Sequence, residues 1–555
     1  MALILAYDSP VTTSLGRASL APHPATPPAP ATERTGAGAG PGEPAATGPA
    51  VPESTRRRLA PLVPDRDPWS WLAAGVVTAI AAIVRLVDLG RPDQIIFDET
   101  YYAPHGYALL RHGVEWNVPE GGAAPVNGAP VLGEGAAYVV HPPLGKWLIG
   151  FGEWIFGYDP FGWRIAAAVA GIVSVLLVAR IARRLFGSTV LGAAAGLLVA
   201  LDGMHLVMSR TALLDIFLLL FLVAAFGALL RDRDDRRQRW LAALTAGLAR
   251  PVPAVPWWRL AAAGLLGCAI AVKWSAVFFA PIFPLLVIVW EVGARRSAGV
   301  RRPWLDTAAG ESGSLLAAAV ITPVVYLASW SGWFLTDHGY HRNSPVDVSD
   351  TTWLGWAVGS LRNLVAYHLQ ALQFHSDLDA VHPYQSDPWG WLLLARPVAF
   401  HWLSEGTCDG GSCAETVLLL GTPLLWWSFL PAVVLVAWLG LARRDWRAVP
   451  ILLGAAAGIA PWPLFDDRVM FYFYALPAQP FLVLAVVYVF GVVMRPPEGG
   501  RPTILEFDRR AVGAVLAGAY VLLVALSFGY FYPVYTGQVI PYEAWQARMW
   551  LSTWV

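Results

Sequence analysis

Charged residues are scarce in this sequence of 555 residues. Only 14% of the residues are charged, whereas 56% are hydrophobic and the mean hydropathy is +0.50. Soluble domains carry roughly 25% charged residues, so the composition excludes an ordinary soluble protein and indicates one that crosses a membrane several times. The 39 basic residues balance the 39 acidic ones, and this balance gives no argument for a nucleic-acid partner.

Cysteines are also few, at three. Cys268 lies inside an apolar run and is interpreted as a small core residue. Cys408 and Cys413 lie in the Gly-rich stretch GTCDGGSCAE, where a short disulfide can close if the loop is outside the cytoplasm. The sequence leaves open whether these two thiols are free or joined.

Nucleotide and metal motifs are missing as well. The chain has no Walker loop, dinucleotide fingerprint, zinc-ligand spacing or nucleophile elbow, which argues against a nucleotide-driven enzyme. A donor group already carried on a lipid phosphate needs no nucleotide site. No cofactor is predicted, and a requirement for a divalent metal is left open.

The N-terminal residues 1–68 are rich in Pro, Ala and Gly and show no apolar period. Such a composition cannot build a core, and we expect a disordered cytoplasmic tail. MALILAY is too short for the apolar region of a signal peptide, so the first span is expected to insert by itself. The remaining parts are a transmembrane catalytic domain, 69–531, and a short extracytoplasmic segment, 532–555.

Apolar runs predict the membrane spans, because a helix needs about 20 apolar residues to cross a bilayer. The runs lie near 69–89, 162–185, 188–207, 211–230, 258–273, 275–293, 313–332, 415–441, 447–464, 469–494 and 510–531. With this number of spans, six Arg-rich loops fall on one side of the membrane, which places the N-terminus in the cytoplasm and the C-terminus outside. Two long polar loops, 90–161 and 333–414, then lie outside.

The first outer loop carries two adjacent carboxylates, Asp98 and Glu99, in IIFDETYY. Two ordinary surface carboxylates are the simplest interpretation. Their apolar flanks next to the membrane favour another one, since desolvation and like-charge repulsion raise the pKa of a carboxylate towards the range of a general base.

Cations and further carboxylates are predicted at the same membrane face. His141 and Lys146 precede an amphipathic segment, 147–156, and are either site residues or headgroup-level anchors. Arg164 begins an apolar run and is a functional candidate. Arg210 and Asp215 either belong to the site or form an ion pair that locks two helices. Lys273 and Arg468 complete the set, which suits an amphiphilic phosphate substrate.

Seven motifs occur in order: FDETYY, HPPLGKWLI, GWRIAAAVAG, SRTALLDIFLLLF, VKWSA, HPYQSDPWGWLLLARPV and DDRVMFYFYALP. On these motifs the sequence resembles the actinobacterial protein O-mannosyltransferases, within the multi-spanning glycosyltransferases that use polyprenyl-phosphate sugars. The resemblance implies an all-α polytopic membrane protein of the GT-C type, with about eleven transmembrane helices, two long extracytoplasmic loops and the active site at the outer membrane face.

The implied reaction moves mannose from polyprenyl-phosphate-mannose to Ser or Thr hydroxyls of exported proteins, with inversion, at the outer face of the plasma membrane. The Sec translocon is the implied partner that delivers the acceptor. Asp98 corresponds to the catalytic base, Glu99 to its acidic partner and Arg164 to an arginine that holds the lipid phosphate. Tyr384, in the sixth motif, is placed near the donor.

Two other functions stay open at this point. A related polyprenyl-phosphate-sugar transferase would act on a glycan or lipid, but HPPLGK and SRTALLD favour the protein-modifying branch. A transporter would also carry charged residues at helix ends, but the sequence shows no inverted repeat.

Overall fold

A computed structural model gives the architecture of the chain. The described residues are 51–61, 67–349, 351–379, 381–404, 406–408, 411–465, 467–494 and 504–555, with side chains in the last range described from residue 510 onwards.

The predicted N-terminal tail falls mostly outside these ranges, since residues 1–50 are not among them. In the remainder of the tail, Glu53–Leu59 forms a helix, which differs from the expected lack of structure. Leu59 is buried against Trp240 and Ala294, and this apolar contact supports a helix too short to be stable by itself.

The architecture is mainly helical. The helices of the described part are, in chain order, Glu53–Leu59, Pro68–Leu86, Glu99–His112, Leu144–Phe156, Pro160–Phe186, Thr189–Ala200, Gly203–Arg210, Asp215–Thr245, Trp257–Val272, Ile282–Ser297, Pro303–Ser329, Ser331–Leu335, Trp353–Ser376, Pro423–Arg443, Ala448–Ile459, Gln479–Val493, Ile504–Tyr535 and Tyr542–Gln546. Short 3₁₀ turns lie at Trp274–Phe279, Pro388–Leu393, Trp462–Phe465, Tyr472–Ala478 and Ser552–Trp554.

Each of the predicted apolar runs coincides with a helix or a helix pair, so the multi-pass helical class is confirmed. By length and composition, 8 helices of the described part can cross a membrane, or 9 if a bent pair counts as one span. The number is below the predicted eleven for two physical reasons. Trp257–Val272 has only 16 residues, and Asp215–Thr245 becomes highly charged from Arg231 onwards.

The bent pair is Thr189–Ala200 and Gly203–Arg210, which meet at 61°. Asp202 lies at the break and accepts a hydrogen bond from the backbone N–H of His205 at 3.3 Å, which caps the second helix. Its other oxygen accepts from Trp426 Nε1 at 2.8 Å. The buried carboxylate therefore ends one helix, starts the next and ties both to the C-terminal half of the chain.

The two outer loops are ordered by helices rather than by turns alone. Glu99–His112 and Leu144–Phe156 pack on each other in the first loop, where Gly106 and Gly150 approach too closely for a side chain. The predicted amphipathic segment 147–156 forms most of the second of these helices. Trp353–Ser376 fills much of the second loop.

A small antiparallel sheet adds to the helices at the end of the bundle that carries the two long loops. Strand β3 (Gly411–Leu419) pairs with β1 (Val398–Leu403), β2 (Thr407–Cys408) and β4 (Val539–Pro541). The predicted span at 415–441 therefore begins later than expected, at Pro423, because its first residues are paired in β3.

The open question about the cysteines is answered by this sheet. Cys408 and Cys413 lie on neighbouring strands, with Cα atoms 5.4 Å apart, and their sulfur atoms form a disulfide. Cys268 is a free cysteine in helix Trp257–Val272.

A buried charge network lies at the opposite end of the bundle. Arg259 contacts Asp232, Glu291 and Glu311 at 2.6–2.8 Å, and Arg184 contacts Asp234 at 2.7 Å. Arg184 ends the helix that Arg164 begins, and 27 residues of helix span about 40 Å. The sequence RDRDDRRQR is thus the end of a helix and its packing surface, rather than the predicted loop.

Candidate active site

Asp98 occupies the N-cap position of helix Glu99–His112, yet its side chain does not cap that helix. The preceding residue, Phe97, has φ +48°, which is uncommon for a bulky side chain. Phe97 is held there by stacking on Phe400 of β1, with ring centroids 4.3 Å apart, and by an edge contact to Phe473 at 6.1 Å. Backbone strain fixed by surrounding packing is typical of functional sites, and in this loop it sets the direction of Asp98.

The Asp98 carboxylate has no partner in the described part of the chain, where no residue donates a hydrogen bond to it or forms an ion pair with it. Burial raises its pKa from 3.8 to about 6; the positive charge of Lys273 opposes this shift, and the negative charge of Asp215 adds to it. A half-buried carboxylate with a pKa just below neutrality is ionised at pH 7 and suited to accept a proton.

Glu99, the neighbouring carboxylate, is fully engaged. Its two oxygens accept from Arg164 Nε at 2.7 Å and Nη2 at 2.8 Å, and both side chains are 0% exposed. They also accept from the backbone N–H groups of Ile96 at 3.1 Å and Ala212 at 3.0 Å. This carboxylate therefore joins the segment before Asp98 to the helix that begins at Pro160 and to the segment after Arg210.

Arg164 has a different environment from the predicted one. Besides its two contacts to Glu99, it donates from Nη1 to the carbonyls of Pro92 at 2.9 Å and Leu89 at 3.3 Å, and from Nη2 to Gln94 at 2.9 Å. All five N–H groups of the guanidinium are thus used. Arg164 thus orders the loop before Asp98 in this structure, and its contact with a lipid phosphate stays a prediction.

Arg210 and Lys146 are also occupied by the protein. Arg210 donates to the backbone carbonyls of Arg85, Val87 and Asp88 at 2.6–2.8 Å, so it binds the end of the first membrane helix. Lys146 is 1% exposed, pairs with Glu115 at 2.5 Å and donates to the His141 carbonyl at 2.8 Å. Both cations bind groups of the protein in this structure, and their contact with the donor stays a prediction.

Asp215 forms an ion pair with Lys273 and not with Arg210, the partner that the sequence analysis considered. The Nζ atom lies 2.9 and 3.0 Å from the two carboxylate oxygens. It also lies 4.8 Å from the ring centroid of Tyr474 and 5.5 Å from that of Phe473. Since the charges of both partners act on Asp98, the pair belongs to the site and also connects two helix ends.

Arg468 is the cation with unused donors. Within the described part of the chain its side chain has no ion pair and no hydrogen bond, and its Nε is buried. The guanidinium lies 5.9 Å from the Tyr474 ring. The neighbouring Asp466, which shares the seventh motif with it, falls outside the described residues.

Two histidines face these cations. The His141 and His375 rings are 5.3 Å apart. Burial, reinforced by the charges of Lys273 and Arg468, holds the pKa of His141 well below its usual range and lowers that of His375 to about 4. Both rings are therefore neutral at pH 7 and offer hydrogen bonds without adding charge.

Tyr384 lies farther along the second outer loop. Its ring is 5.8 Å from His382, which in turn packs against Phe471 at 4.9 Å. The backbone of Ser386 donates to the Met470 carbonyl at 2.9 Å. The sixth and seventh motifs thus lie side by side, and this contact brings Tyr384 near the segment of Arg468.

Metal ligation has no obvious centre in the part of the chain that the structure describes. No group of three or more His, Cys, Asp or Glu side chains there is arranged to hold an ion.

Sequence reasoning missed Phe97, Phe400, Glu115 and His375. Phe97 and Phe400 are 303 positions apart in the sequence, and neither has a local signal beyond being aromatic. His375 ends the outer-loop helix and hydrogen-bonds the carbonyl of Val140 at 3.2 Å. Only the tertiary pairing of the two outer loops reveals these contacts.

The fold has a relative among solved structures. It is similar to the structure of the Saccharomyces cerevisiae protein O-mannosyltransferase Pmt1-Pmt2 complex bound to the sugar donor, with a TM-score of 0.64 and 14% sequence identity over 92% of this chain and 95% of that one.

Family models give a closer assignment. The model described as dolichyl-phosphate-mannose-protein mannosyltransferase matches residues 75–294, and the model of the C-terminal four-span region of protein-O-mannosyltransferase matches residues 360–554. The chain belongs to the dolichyl-phosphate-mannose-protein mannosyltransferase family.

Curated relatives agree with this membership. The polyprenol-phosphate-mannose–protein mannosyltransferase of Mycobacterium tuberculosis is 39% identical over 87% of this chain and 92% of its own length. The protein of the same name from Corynebacterium glutamicum is 33% identical over 88% of this chain and 94% of its own length. The resemblance found in the sequence motifs is thereby confirmed.

The two adjacent carboxylates are expected to differ in their effect on stability. Glu99→Gln leaves the buried Arg164 without its counter-charge and should lower the free energy of unfolding by about 3–5 kcal/mol. Asp98→Asn removes no partner in the described part of the chain and relieves the cost of burying a charge, so it should not lower the free energy of unfolding. Unfolding of both purified variants in detergent, followed by tryptophan fluorescence, measures the difference. Equal losses would contradict the division of roles.

Proposed function

We propose that this protein transfers mannose from polyprenyl-phosphate-mannose to Ser or Thr hydroxyls of exported polypeptides at the outer face of the plasma membrane. The observation that carries the proposal is the unpaired carboxylate of Asp98, fixed beside Lys273 at the end of a strained loop. The names of the relatives that cover most of this chain support the donor and the protein acceptor. They favour this function over transport or transfer to a lipid.

The chemistry is a single displacement. The acceptor hydroxyl oxygen attacks the anomeric carbon of mannose, and the bond from that carbon to the phosphate oxygen breaks. Asp98 takes the hydroxyl proton, and the electron pair leaves with the polyprenyl phosphate. One base and one stabilised leaving group are sufficient for this step.

The leaving phosphate is assigned to Arg468 and Lys273. Arg468 has free guanidinium donors, which can hold two phosphate oxygens at once. Lys273 already pairs with Asp215, and we assign it the smaller share of the phosphate charge. His141 and Tyr384 are proposed to contact the rest of the donor as neutral hydrogen-bonding groups.

The remaining candidates keep these groups in place. Glu99 and Arg164 hold the loop that ends in Asp98, Arg210 holds the end of the first membrane helix, and Lys146 fixes the backbone of His141. We therefore propose that Arg164, Arg210 and Lys146 position other residues of the site and do not contact the mannose donor directly.

Asp98→Asn is expected to reduce transfer about 10²–10⁴-fold, because the amide has nearly the same shape but cannot take the proton. The measurement is mass spectrometry of a Ser/Thr-rich peptide incubated with the purified protein and polyprenyl-phosphate-mannose. Asp93→Asn, an exposed carboxylate in the same loop, is the matched control and should stay near the parent rate. If Asp98→Asn transferred mannose at nearly the parent rate, Asp98 would not be the base.

The pH profile gives a second test of the base. Asp98 acts only when deprotonated, and its pKa is raised to about 6. We expect kcat/KM to be level above pH 7 and to fall about tenfold per pH unit well below 6. Controls for stability at each pH are needed, since unfolding would also reduce the rate. A rate that stays level down to pH 4.5 would contradict the assignment.

Arg468→Ala is expected to raise the KM for the donor about tenfold or more, with little change in the KM for the peptide, because the lost contact is to phosphate. Arg468→Lys should recover only part of the loss. Arg111→Ala, an exposed arginine in the first outer loop, is the control. If only the KM for the peptide rose, Arg468 would contact the acceptor peptide rather than the donor.

Orientation in the membrane can be tested by labelling single cysteines with an impermeant maleimide. Val126 and Asp377 are exposed in the two outer loops, and Gln238 is exposed near the charge network at the opposite end. Cysteines at the first two positions should react in intact cells and one at Gln238 only after lysis, as the Arg-rich loops predict. The parent chain sets the background. Labelling of the Gln238 position in sealed cells would invert the topology.

A further inference from the structure

A cavity of about 420 Å³ lies at the end of the helix bundle opposite to Asp98. Phe186, Leu191, Tyr488 and Val492 are among the residues that line it, together with Arg447 and Arg510. Arg164 and Phe186 are 22 positions apart on one helix, which places them about 33 Å apart along its axis. The cavity is thus separate from the site proposed for mannosyl transfer.

Two arginines are among the residues that line the cavity. Arg447 is neutralised by Asp445, whose oxygens lie 2.8 and 3.0 Å from its Nε. Arg510 is exposed and has no hydrogen-bond or ion-pair partner in the side chains that the structure describes. Among the described lining residues, Arg510 therefore carries the positive charge that is available to an anion.

The walls of the cavity are mainly apolar, and this favours an anion that carries an apolar chain over a small soluble anion. The rings of Phe186 and Tyr488 are 6.3 Å apart and form one side. A Cβ atom at Gly491 would lie 3.2 Å from Leu191 Cδ1. Because Gly491 has no side chain, the space between these two lining residues stays open. A small soluble anion would leave these apolar surfaces uncovered, whereas an acyl chain would cover them.

We propose that this cavity binds an anionic phospholipid, with its headgroup phosphate at Arg510 and one acyl chain between Phe186, Tyr488 and Val492. Basic pockets between membrane helices are suited to such headgroups. Arg447 supports the site differently: its pair with Asp445 also receives the Tyr488 hydroxyl at 3.1 Å, which orients the aromatic wall. The proposal does not rest on the mannosyltransferase assignment.

Native mass spectrometry of the purified full chain tests the proposal. The probes are phosphatidylglycerol and phosphatidylcholine with identical acyl chains, titrated separately. We expect the parent to bind phosphatidylglycerol at least tenfold more tightly, and Arg510→Gln to lose about fivefold or more of that affinity. Arg301→Gln removes an exposed arginine outside the cavity lining and should bind as the parent does.

Two further measurements keep the test decisive. Ala514→Trp fills the cavity from its wall and should also abolish the preference for phosphatidylglycerol. Glycerol 3-phosphate, which has a phosphate but no acyl chain, should not compete. Equal affinity for both lipids, an unchanged Arg510→Gln variant, an equal loss in Arg301→Gln, or competition by glycerol 3-phosphate would each overturn the proposal.

Discussion

The ion pair between Glu99 and Arg164 is the constraint on which the site depends. It is fully buried and bidentate, and its remaining donors and acceptors bind backbone groups on both sides of the catalytic loop. A buried pair with every group satisfied fixes one geometry, and loss of either partner leaves a charge that water cannot reach. Glu99 is therefore engaged in the described fold, which is why we propose the neighbouring Asp98 as the base.

The same division between fixed and free groups recurs among the cations. Arg164, Arg210 and Lys146 are bound to protein carbonyls and carboxylates, whereas Arg468 has no hydrogen-bond partner among the described residues. A site that releases a lipid phosphate needs a cation whose hydrogen bonds form with the substrate rather than with the protein. This difference is the reason for proposing Asp98 as the base and Arg468 as the phosphate ligand.

The helical class, the positions of the apolar runs and the candidate site residues were predictable from the sequence, because hydropathy and motif order are local properties. The roles of the residues were not. Arg164 and Glu99 are 65 positions apart. That the two side chains pair, and that their hydrogen-bonding groups all have partners, is visible only when the first loop folds onto the helix. The stacking of Phe97 on Phe400 and the small sheet around Cys413 likewise depend on contacts between distant segments. The helix break at Asp202 reflects a buried capping carboxylate that hydropathy alone does not reveal.

The most direct test of the account is the stereochemistry of transfer. A donor of known anomeric configuration is incubated with the purified protein and a Ser/Thr peptide, and the linkage of the product is determined by NMR. A single displacement with Asp98 as the base predicts one product with the anomeric configuration inverted. A product with retained configuration would require a covalent sugar–enzyme intermediate, and it would contradict the role of Asp98 as the base of a single displacement.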